Sequence, residues 1–181
     1  MRIISGNKKS IIITAPKSLP VRPTTDKVKE SLFNIIQNKF DFSSLKVLDI
    51  FSGTGNISFE FGSRGCNDIL CIDNNFKCIS FIDRTAKDLG IKLRTKKIDY
   101  LTYLNLNNEK FDIIFADPPY NFLLSDYLKI IDIIREKQIL SPNGQLIIEH
   151  RSNISFIDKF KEVDERNYGS NTLSFFKKAS L

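Results

Sequence analysis

The feature that most constrains this 181-residue chain is a regular alternation of short apolar runs with segments of helical periodicity. The runs VLDIF, DILCI and FDIIFA are nearly continuous in apolar residues, which is typical of parallel strands buried on both faces. Strands that alternate with helices through short loops predict a doubly wound α/β sheet. Ligands in such sheets bind beyond the carboxyl ends of the central strands.

The sheet predicted from these patterns is mostly parallel, with antiparallel pairing at the C-terminal end. Strands are predicted over 46–50, 68–72, 91–98, 111–116 and 144–149. Helices are predicted from a cap at Thr24 or Thr25 to Gln37, and over 57–63, 76–89 and 125–140. Two hairpins are predicted, a short N-terminal one that pairs 2–5 with 11–14 and a terminal one that pairs 160–166 with 172–177.

Positive charge is concentrated at the start of the chain. Residues 1–46 hold nine basic and three acidic residues, which accounts for the whole net charge of +6. We therefore divide the chain into a basic N-terminal extension, 1–45, formed by the hairpin and helix, and a sheet domain, 46–181. A neutral body with a basic extension suits a polyanionic partner such as RNA, and the alternative is a solvated basic tail.

Other classes of protein are disfavoured by the composition. The N-terminus has no long apolar segment of the secretory type, and no stretch approaches the roughly 20 apolar residues that cross a bilayer. Cys66, Cys71 and Cys78 form no CxxC pair, and His150 is the single histidine. We expect a cytoplasmic protein with reduced cysteines, no membrane association and no metal.

Carboxylates occur at or near the ends of four predicted strands, at Asp49, Asp73, Asp99 and Asp117. Because the carboxyl ends of parallel strands lie at one edge of a sheet, we expect these four side chains to converge there. Packing alone does not explain such a set, so this edge is the candidate site. For Asp99 the alternative is a surface residue that begins a helix.

The loop SGTG after the first strand predicts close approach of the backbone to a ligand. Gly53 and Gly55 give the Gly-x-Gly turn, but Ser58 stands where a dinucleotide fingerprint has its third glycine. The loop therefore favours a nucleoside without phosphates, such as S-adenosylmethionine, and the alternative is a purely structural turn. Asp73, twenty residues after Gly53, is placed to accept hydrogen bonds from both ribose hydroxyls, unless it only caps the next helix.

The most specific motif is Asp117-Pro118-Pro119-Tyr120, directly after the apolar run FDIIFA. The amine of a nucleic-acid base is a poor nucleophile because its lone pair is delocalised into the ring. A carboxylate and a backbone carbonyl that both accept from the NH₂ group hold the nitrogen towards tetrahedral geometry. The two prolines stiffen the loop, and Tyr120 offers a flat face on which a base stacks. The alternative, a Pro-Pro turn that merely ends a strand, leaves the flanking Asp and Tyr unexplained.

Motifs along almost the whole chain resemble the RsmD-type 16S rRNA guanine-N2 methyltransferases of bacteria. They are MRIISG at the N-terminus, RPTTDKVKESLF over 22–33, VLDIFSGTGNISFEFGSRG over 47–65, DPPY over 117–120 and the late YGSNTLSFF. The resemblance implies a class I methyltransferase domain of Rossmann-like fold, S-adenosylmethionine as methyl donor, and 16S rRNA or the small ribosomal subunit as partner. It also implies transfer of the methyl group to the exocyclic N2 amine of a guanine.

The site residues expected on these grounds fall into three groups. Asp117, Pro118, Pro119 and Tyr120 are assigned to catalysis, and the donor is assigned to Asp49, Phe51, Gly53, Gly55, Asp73, Asn74, Asp99 and Tyr100. RNA contacts are assigned to Arg2, Lys8, Lys9, Arg22 and Thr24. The alternatives are an adenine or cytosine amino-methyltransferase acting on DNA, and a non-catalytic RNA-binding module with a methyltransferase fold.

Overall fold

A computed structural model describes residues 1–16, 19, 25–178 and 181 of the chain, and these residues form two compact units, Met1–Asp99 and Tyr100–Leu181. The elements of the first unit are α1 (Asp26–Gln37), a 3₁₀ turn (Phe42–Ser44), β1 (Lys46–Asp49), α2 (Asn56–Ser63), β2 (Asp68–Asp73), α3 (Phe76–Leu89) and β3 (Arg94–Lys97). Those of the second unit are α4 (Tyr100–Leu106), β4 (Phe111–Ala116), α5 (Leu124–Glu136), β5 (Leu140–Arg151), β6 (Asp164–Tyr168) and β7 (Asn171–Lys177).

The three strands of the first unit are parallel, with β2 between β1 and β3. Val47 of β1 lies beside Ile69 of β2, and both side chains are fully buried. Apolar side chains on both faces of β1 and β2 explain why their sequences read as continuous apolar runs. The predicted strands and helices of this unit are present, with bounds that differ by at most three residues.

The helices of the first unit begin and end at local signals in the sequence. Thr25 is the N-cap of α1 and accepts from the Val28 backbone N–H at 3.4 Å, as predicted for the pair of threonines; Thr24 lies outside the described residues. Asn75 caps α3 in the same way at 2.9 Å. Gly90 ends α3 in the left-handed conformation, with φ +62°, which a residue without Cβ adopts at little cost.

The predicted N-terminal hairpin is reduced to a single antiparallel bridge between Arg2 and Ile12. The Ile3 N–H donates to the Ile11 carbonyl at 3.0 Å, and the Ile3 side chain is buried. Longer strands do not form because the neighbouring backbone groups bond elsewhere. The N–H groups of Ile4 and Ser5 donate to the Glu60 carboxylate, at 2.9 and 3.0 Å.

The second unit has four strands in the order β4-β5-β7-β6. β4 and β5 are parallel, whereas β7 runs antiparallel to both β5 and β6. The terminal hairpin is therefore confirmed, although its first strand begins at Asp164 and not at residue 160. The three parallel strands of the first unit, and the parallel and antiparallel pairs of the second, confirm the predicted mostly parallel α/β class.

Some predicted bounds in the second unit are wrong. We predicted that α5 continues to residue 140 and that β5 begins at residue 144, but Leu140 already pairs with Phe111 of β4. The register shifts between this pair and Ile113–Gln145, so the Pro142–Gly144 turn is a bulge within β5. Pro142 has no N–H to donate to a ladder, which explains the irregularity. The short helix α4 was not predicted.

Within the described part of the chain, no helix combines the length and the apolar character that crossing a membrane requires.

Candidate active site

The loop after β1 is held in shape by its two glycines and by Asp73. Gly53 and Gly55 have φ values of +51° and +74°, a region that residues with a Cβ rarely adopt. A Cβ on Gly55 would also lie 2.9 Å from the Phe59 ring. The Gly53 N–H donates to Asp73 Oδ2 at 2.9 Å, so the structure brings the loops after β1 and β2 together, as the spacing predicts.

Asp73 ends β2 with its side chain half-buried. Its Oδ2 accepts from Gly53, and its Oδ1 accepts from the Asn75 backbone N–H at 2.8 Å. The helix cap is Asn75, so the alternative role of Asp73 as the cap of α3 is wrong. Each oxygen of an ionised carboxylate accepts more than one hydrogen bond, which leaves capacity on both for a ligand hydroxyl.

Asp49, at the end of β1, lies beneath this loop and is almost fully buried. Its Oδ2 accepts from the Ser58 hydroxyl at 2.7 Å, whereas its Oδ1 has no hydrogen-bond partner among the described residues. Burial, with a smaller contribution from the negative charge of Asp73, raises the pKa of Asp49 to about 7. Ser58, the residue that departs from the dinucleotide fingerprint, is therefore the hydroxyl that holds this carboxylate.

The remaining predicted donor residues differ in exposure. Phe51 is half-buried in the loop after β1, and Asn74 is exposed between β2 and α3. Asp99 is exposed and directly precedes α4, which agrees with the alternative that it begins a helix. Tyr100 is half-buried, with its ring centroid 5.9 Å from that of Phe122.

The motif Asp117–Tyr120 directly follows β4, whose last three residues are buried. Asp117 and Tyr120 are half-buried, Pro118 is buried and Pro119 is exposed. The Phe122 N–H donates to the Pro119 carbonyl at 3.0 Å, which closes a turn after the motif. The loop therefore presents a carboxylate and an aromatic ring directly after a buried strand.

Two side chains near this motif were missed by the sequence prediction. Tyr127 of α5 is buried, and its ring packs edge-on against Phe122 at 5.8 Å between centroids. Burial, and then the negative charge of Asp117, raises the pKa of Tyr127 to about 12. Arg151, the last residue of β5, lies with its guanidinium 4.9 Å from the centroid of the Tyr120 ring. The signal available in the sequence is that Arg151 follows closely on the predicted strand 144–149.

A third missed residue is Phe76, which is 67% exposed at the first turn of α3. An exposed aromatic side chain of this size, directly after the loop 73–75, offers a flat apolar surface at the start of α3. Phenylalanine at the first position of a helix is unremarkable in sequence, which is why the pattern did not single it out.

The basic residues assigned to RNA contact are only partly described. Arg2 is exposed and pairs with Asp26 at 2.8 Å. Lys9 is exposed and Lys8 half-buried, while Arg22 and Thr24 lie outside the described residues. No group of His, Cys, Asp or Glu side chains in the described ranges is arranged to hold a metal ion. All three cysteines are buried.

Comparison with known sequences gives matches over nearly the full length. Residues 1–177 match the family model described as conserved hypothetical protein 95. A candidate rRNA methyltransferase of Bacillus subtilis, YlbH, is 32% identical, and the alignment covers 98% of this chain and 99% of YlbH. The ribosomal RNA small subunit methyltransferase D of Buchnera aphidicola (subsp. Baizongia pistaciae) is 30% identical over 86% of this chain and 78% of the relative.

Solved structures share the fold at lower identity. The candidate methyltransferase yhhF of Escherichia coli superposes with a TM-score of 0.82 at 21% identity, covering 98% of this chain and 97% of that one. An RNA methyltransferase from Salinibacter ruber, solved with S-adenosyl-L-homocysteine, has a TM-score of 0.68 at 14% identity, covering 86% and 93%. These likenesses confirm the predicted class I methyltransferase fold.

Proposed function

Because the chain belongs to the conserved hypothetical protein 95 family, the RsmD-type family that its sequence resembles, we propose that it transfers a methyl group from S-adenosylmethionine to the N2 amine of a guanine in 16S rRNA. The observation that carries the proposal is the motif Asp117–Tyr120 at the end of the buried strand β4. It combines a carboxylate and backbone carbonyls, which accept hydrogen bonds from an aromatic amine and make it more nucleophilic, with an aromatic ring on which the base stacks.

In the proposed reaction Asp117 accepts a hydrogen bond from the target NH₂ group, and a carbonyl of the Pro118-Pro119 segment accepts the other. Both contacts favour a nitrogen lone pair directed out of the plane of the base. Tyr120 stacks on the base and sets its orientation. Positioning of this kind supplies a large share of the rate in a group transfer with no covalent intermediate.

The residues around Gly53 fit the donor. S-adenosylmethionine supplies a methyl group activated by a positively charged sulfonium. Asp73 has acceptor capacity for ribose hydroxyls, and the buried Asp49 Oδ1 is an acceptor without a partner among the described residues. The negative charge of Asp73 also complements the positive charge of the donor. We assign Asp73 and the Gly53–Gly55 loop to donor binding, and Phe76 to the rim of the same site.

The RNA contacts are assigned to the basic extension, 1–45, through Arg2, Lys8, Lys9, Arg22 and Thr24. Arginine and lysine at the surface of such an extension bind phosphates and make affinity dependent on salt. In this proposal the substrate is the small ribosomal subunit or its 16S rRNA.

The proposal is tested by incubating the purified full chain with methyl-labelled S-adenosylmethionine and three acceptors in parallel. These are small ribosomal subunits that lack the modification, duplex DNA, and a protein extract free of nucleic acid. Incorporation of label into 16S rRNA alone supports the proposal. Label in DNA supports a DNA amino-methyltransferase, label in protein supports a protein methyltransferase, and binding of rRNA without incorporation supports a non-catalytic RNA-binding module.

A further inference from the structure

Arg151 contacts the aromatic ring that the proposed reaction uses to hold the base. Its guanidinium carbon lies 4.9 Å from the Tyr120 ring centroid, within the range of a cation–π contact. The two residues belong to the second unit, Tyr120 in the loop after β4 and Arg151 at the end of β5. Arginine suits such a contact because its guanidinium is planar and stacks on aromatic faces.

The backbone at Arg151 is held by several neighbours. Arg151 pairs with Asn171 at the end of the β5–β7 ladder, and the Ser152 N–H donates to the Ser170 carbonyl at 3.0 Å. The Arg151 carbonyl accepts from the Ile154 N–H at 3.0 Å and lies 2.9 Å from Nδ1 of the neighbouring histidine. The backbone from which the Arg151 side chain extends over Tyr120 is therefore held in place by hydrogen bonds.

His150, the single histidine of the chain, anchors this strand end from inside. It is buried, and its Nε2 lies 2.7 Å from the Ser174 hydroxyl of β7. Because a carbonyl only accepts hydrogen bonds, Nδ1 carries the proton in its contact with the Arg151 carbonyl. The histidine thus ties the backbone of Arg151 to the core of the second unit.

From this geometry we infer that Arg151 is a positioning residue, which stacks on one face of Tyr120 and fixes the ring so that the target base stacks on the other. The inference rests on the proposed function, in which Tyr120 holds the base. Arg151 acts through Tyr120 and does not itself contact the reacting atoms. A ring that is free to rotate spends less time in the orientation that aligns the amine for transfer.

The effect expected from loss of this contact is on turnover. A base displaced by about an ångström costs up to roughly 100-fold in rate, so Arg151→Ala is expected to lower kcat by roughly 10- to 100-fold. Donor affinity is expected to stay unchanged, because the residues assigned to the donor pocket, such as Gly53 and Asp73, lie in other loops. Arg151→Lys is expected to recover only part of kcat, because an ammonium group has the charge of a guanidinium but not its planar face.

The test measures kcat and KM of the full chain for small ribosomal subunits, together with donor affinity by calorimetry. The variants are Arg151→Ala, Arg151→Lys, Tyr120→Ala and the double variant Arg151→Ala/Tyr120→Ala. Arg166→Ala is the matched control, since Arg166 is an exposed arginine of the same unit that pairs with Asp164 at 2.9 Å. Thermal unfolding establishes that each variant is folded.

The inference predicts that the double variant turns over no more slowly than Tyr120→Ala alone, because Arg151 acts through that ring. An Arg151→Ala variant with the kcat of Arg166→Ala would overturn it. So would a defect confined to KM and fully rescued by Arg151→Lys, which would make Arg151 a charge contact to RNA. If Tyr120→Ala is itself as active as wild type, or the wild type transfers no methyl group, the proposed function fails and the inference falls with it.

Discussion

Replacement of Glu60 is expected to cost the first unit a large part of its stability. Its carboxylate is fully buried on α2 and accepts from the backbone N–H groups of Ile4 and Ser5, at 2.9 and 3.0 Å. It also accepts from Arg64 Nε at 2.9 Å, and its Oε2 lies 3.7 Å from Nζ of the fully buried Lys29. One carboxylate thus joins the N-terminal segment to two helices.

The change Glu60→Gln keeps the shape and removes the charge. One of the two carboxylate oxygens is replaced by an NH₂ group, which donates hydrogen bonds and does not accept them. If it replaces Oε2 it faces the donors of Ile4 and Lys29, and if it replaces Oε1 it faces those of Ser5 and Arg64. Lys29 keeps its contacts to the Arg2 carbonyl and to Asn56 Oδ1 but loses its buried counter-charge. Breaking a buried pair from one side costs about 3–5 kcal/mol, which is a large part of the stability of an ordinary domain.

The expected loss is measured as the change in free energy of unfolding in urea, followed by circular dichroism. Asp132→Asn is the matched control, because Asp132 forms a surface ion pair with Arg135 at 2.6 Å in which both side chains are nearly half exposed. Such a pair contributes about 0–1 kcal/mol. If Glu60→Gln lowers the unfolding free energy by no more than Asp132→Asn does, the account of Glu60 as the anchor of the N-terminal segment is wrong.

Three further predictions concern the candidate site. Asp73→Ala is expected to weaken S-adenosylmethionine binding by roughly tenfold or more, because hydrogen bonds to a charged group are lost; unchanged affinity by calorimetry would exclude Asp73 from the donor site. Asp117→Asn is expected to lower methyl transfer by roughly 100-fold with donor affinity intact, because its NH₂ turns a donor towards the target amine; near-normal turnover would show that the carboxylate is not needed. Between pH 3.8 and about 7 only the folded state keeps the proton of Asp49, so the contribution of Asp49 to the free energy of unfolding is expected to fall as pH rises through this range. Asp49→Asn is expected to flatten that dependence in urea titrations at several pH values, and an unaltered slope would contradict it.

Local signals in the sequence were sufficient for part of the fold. The bounds of α3 were predicted correctly because Asn75 and Gly90, a cap and a stop, both lie next to the helix. The bounds of β4 were predicted correctly because its sequence is almost continuously apolar from its first residue to its last. The start of β5 was predicted wrongly because it depends on the pairing of Leu140 with Phe111. The hydrophobic periodicity of the sequence does not reveal such a contact between distant residues.

The same difference between local signals and contacts of distant residues explains which residues were predicted from the sequence and which were missed. Gly53, Asp73 and the motif Asp117–Tyr120 were predicted as site residues because each carries a local pattern of residue types after a strand. Glu60 was not found, because its partners Ile4 and Ser5 lie more than fifty residues away along the chain. Arg151 was missed for the same reason, since its contact with Tyr120 exists only once β5 lies beside β4.

The central claim is that the chain methylates the N2 amine of a guanine in 16S rRNA. The most direct measurement is mass spectrometry of nucleosides from 16S rRNA after unmodified small subunits react with the full chain and methyl-labelled S-adenosylmethionine. The account predicts labelled N2-methylguanosine with the wild-type chain and its near absence with Asp117→Asn. Label in any other nucleoside, or equal amounts of N2-methylguanosine from both proteins, would contradict it.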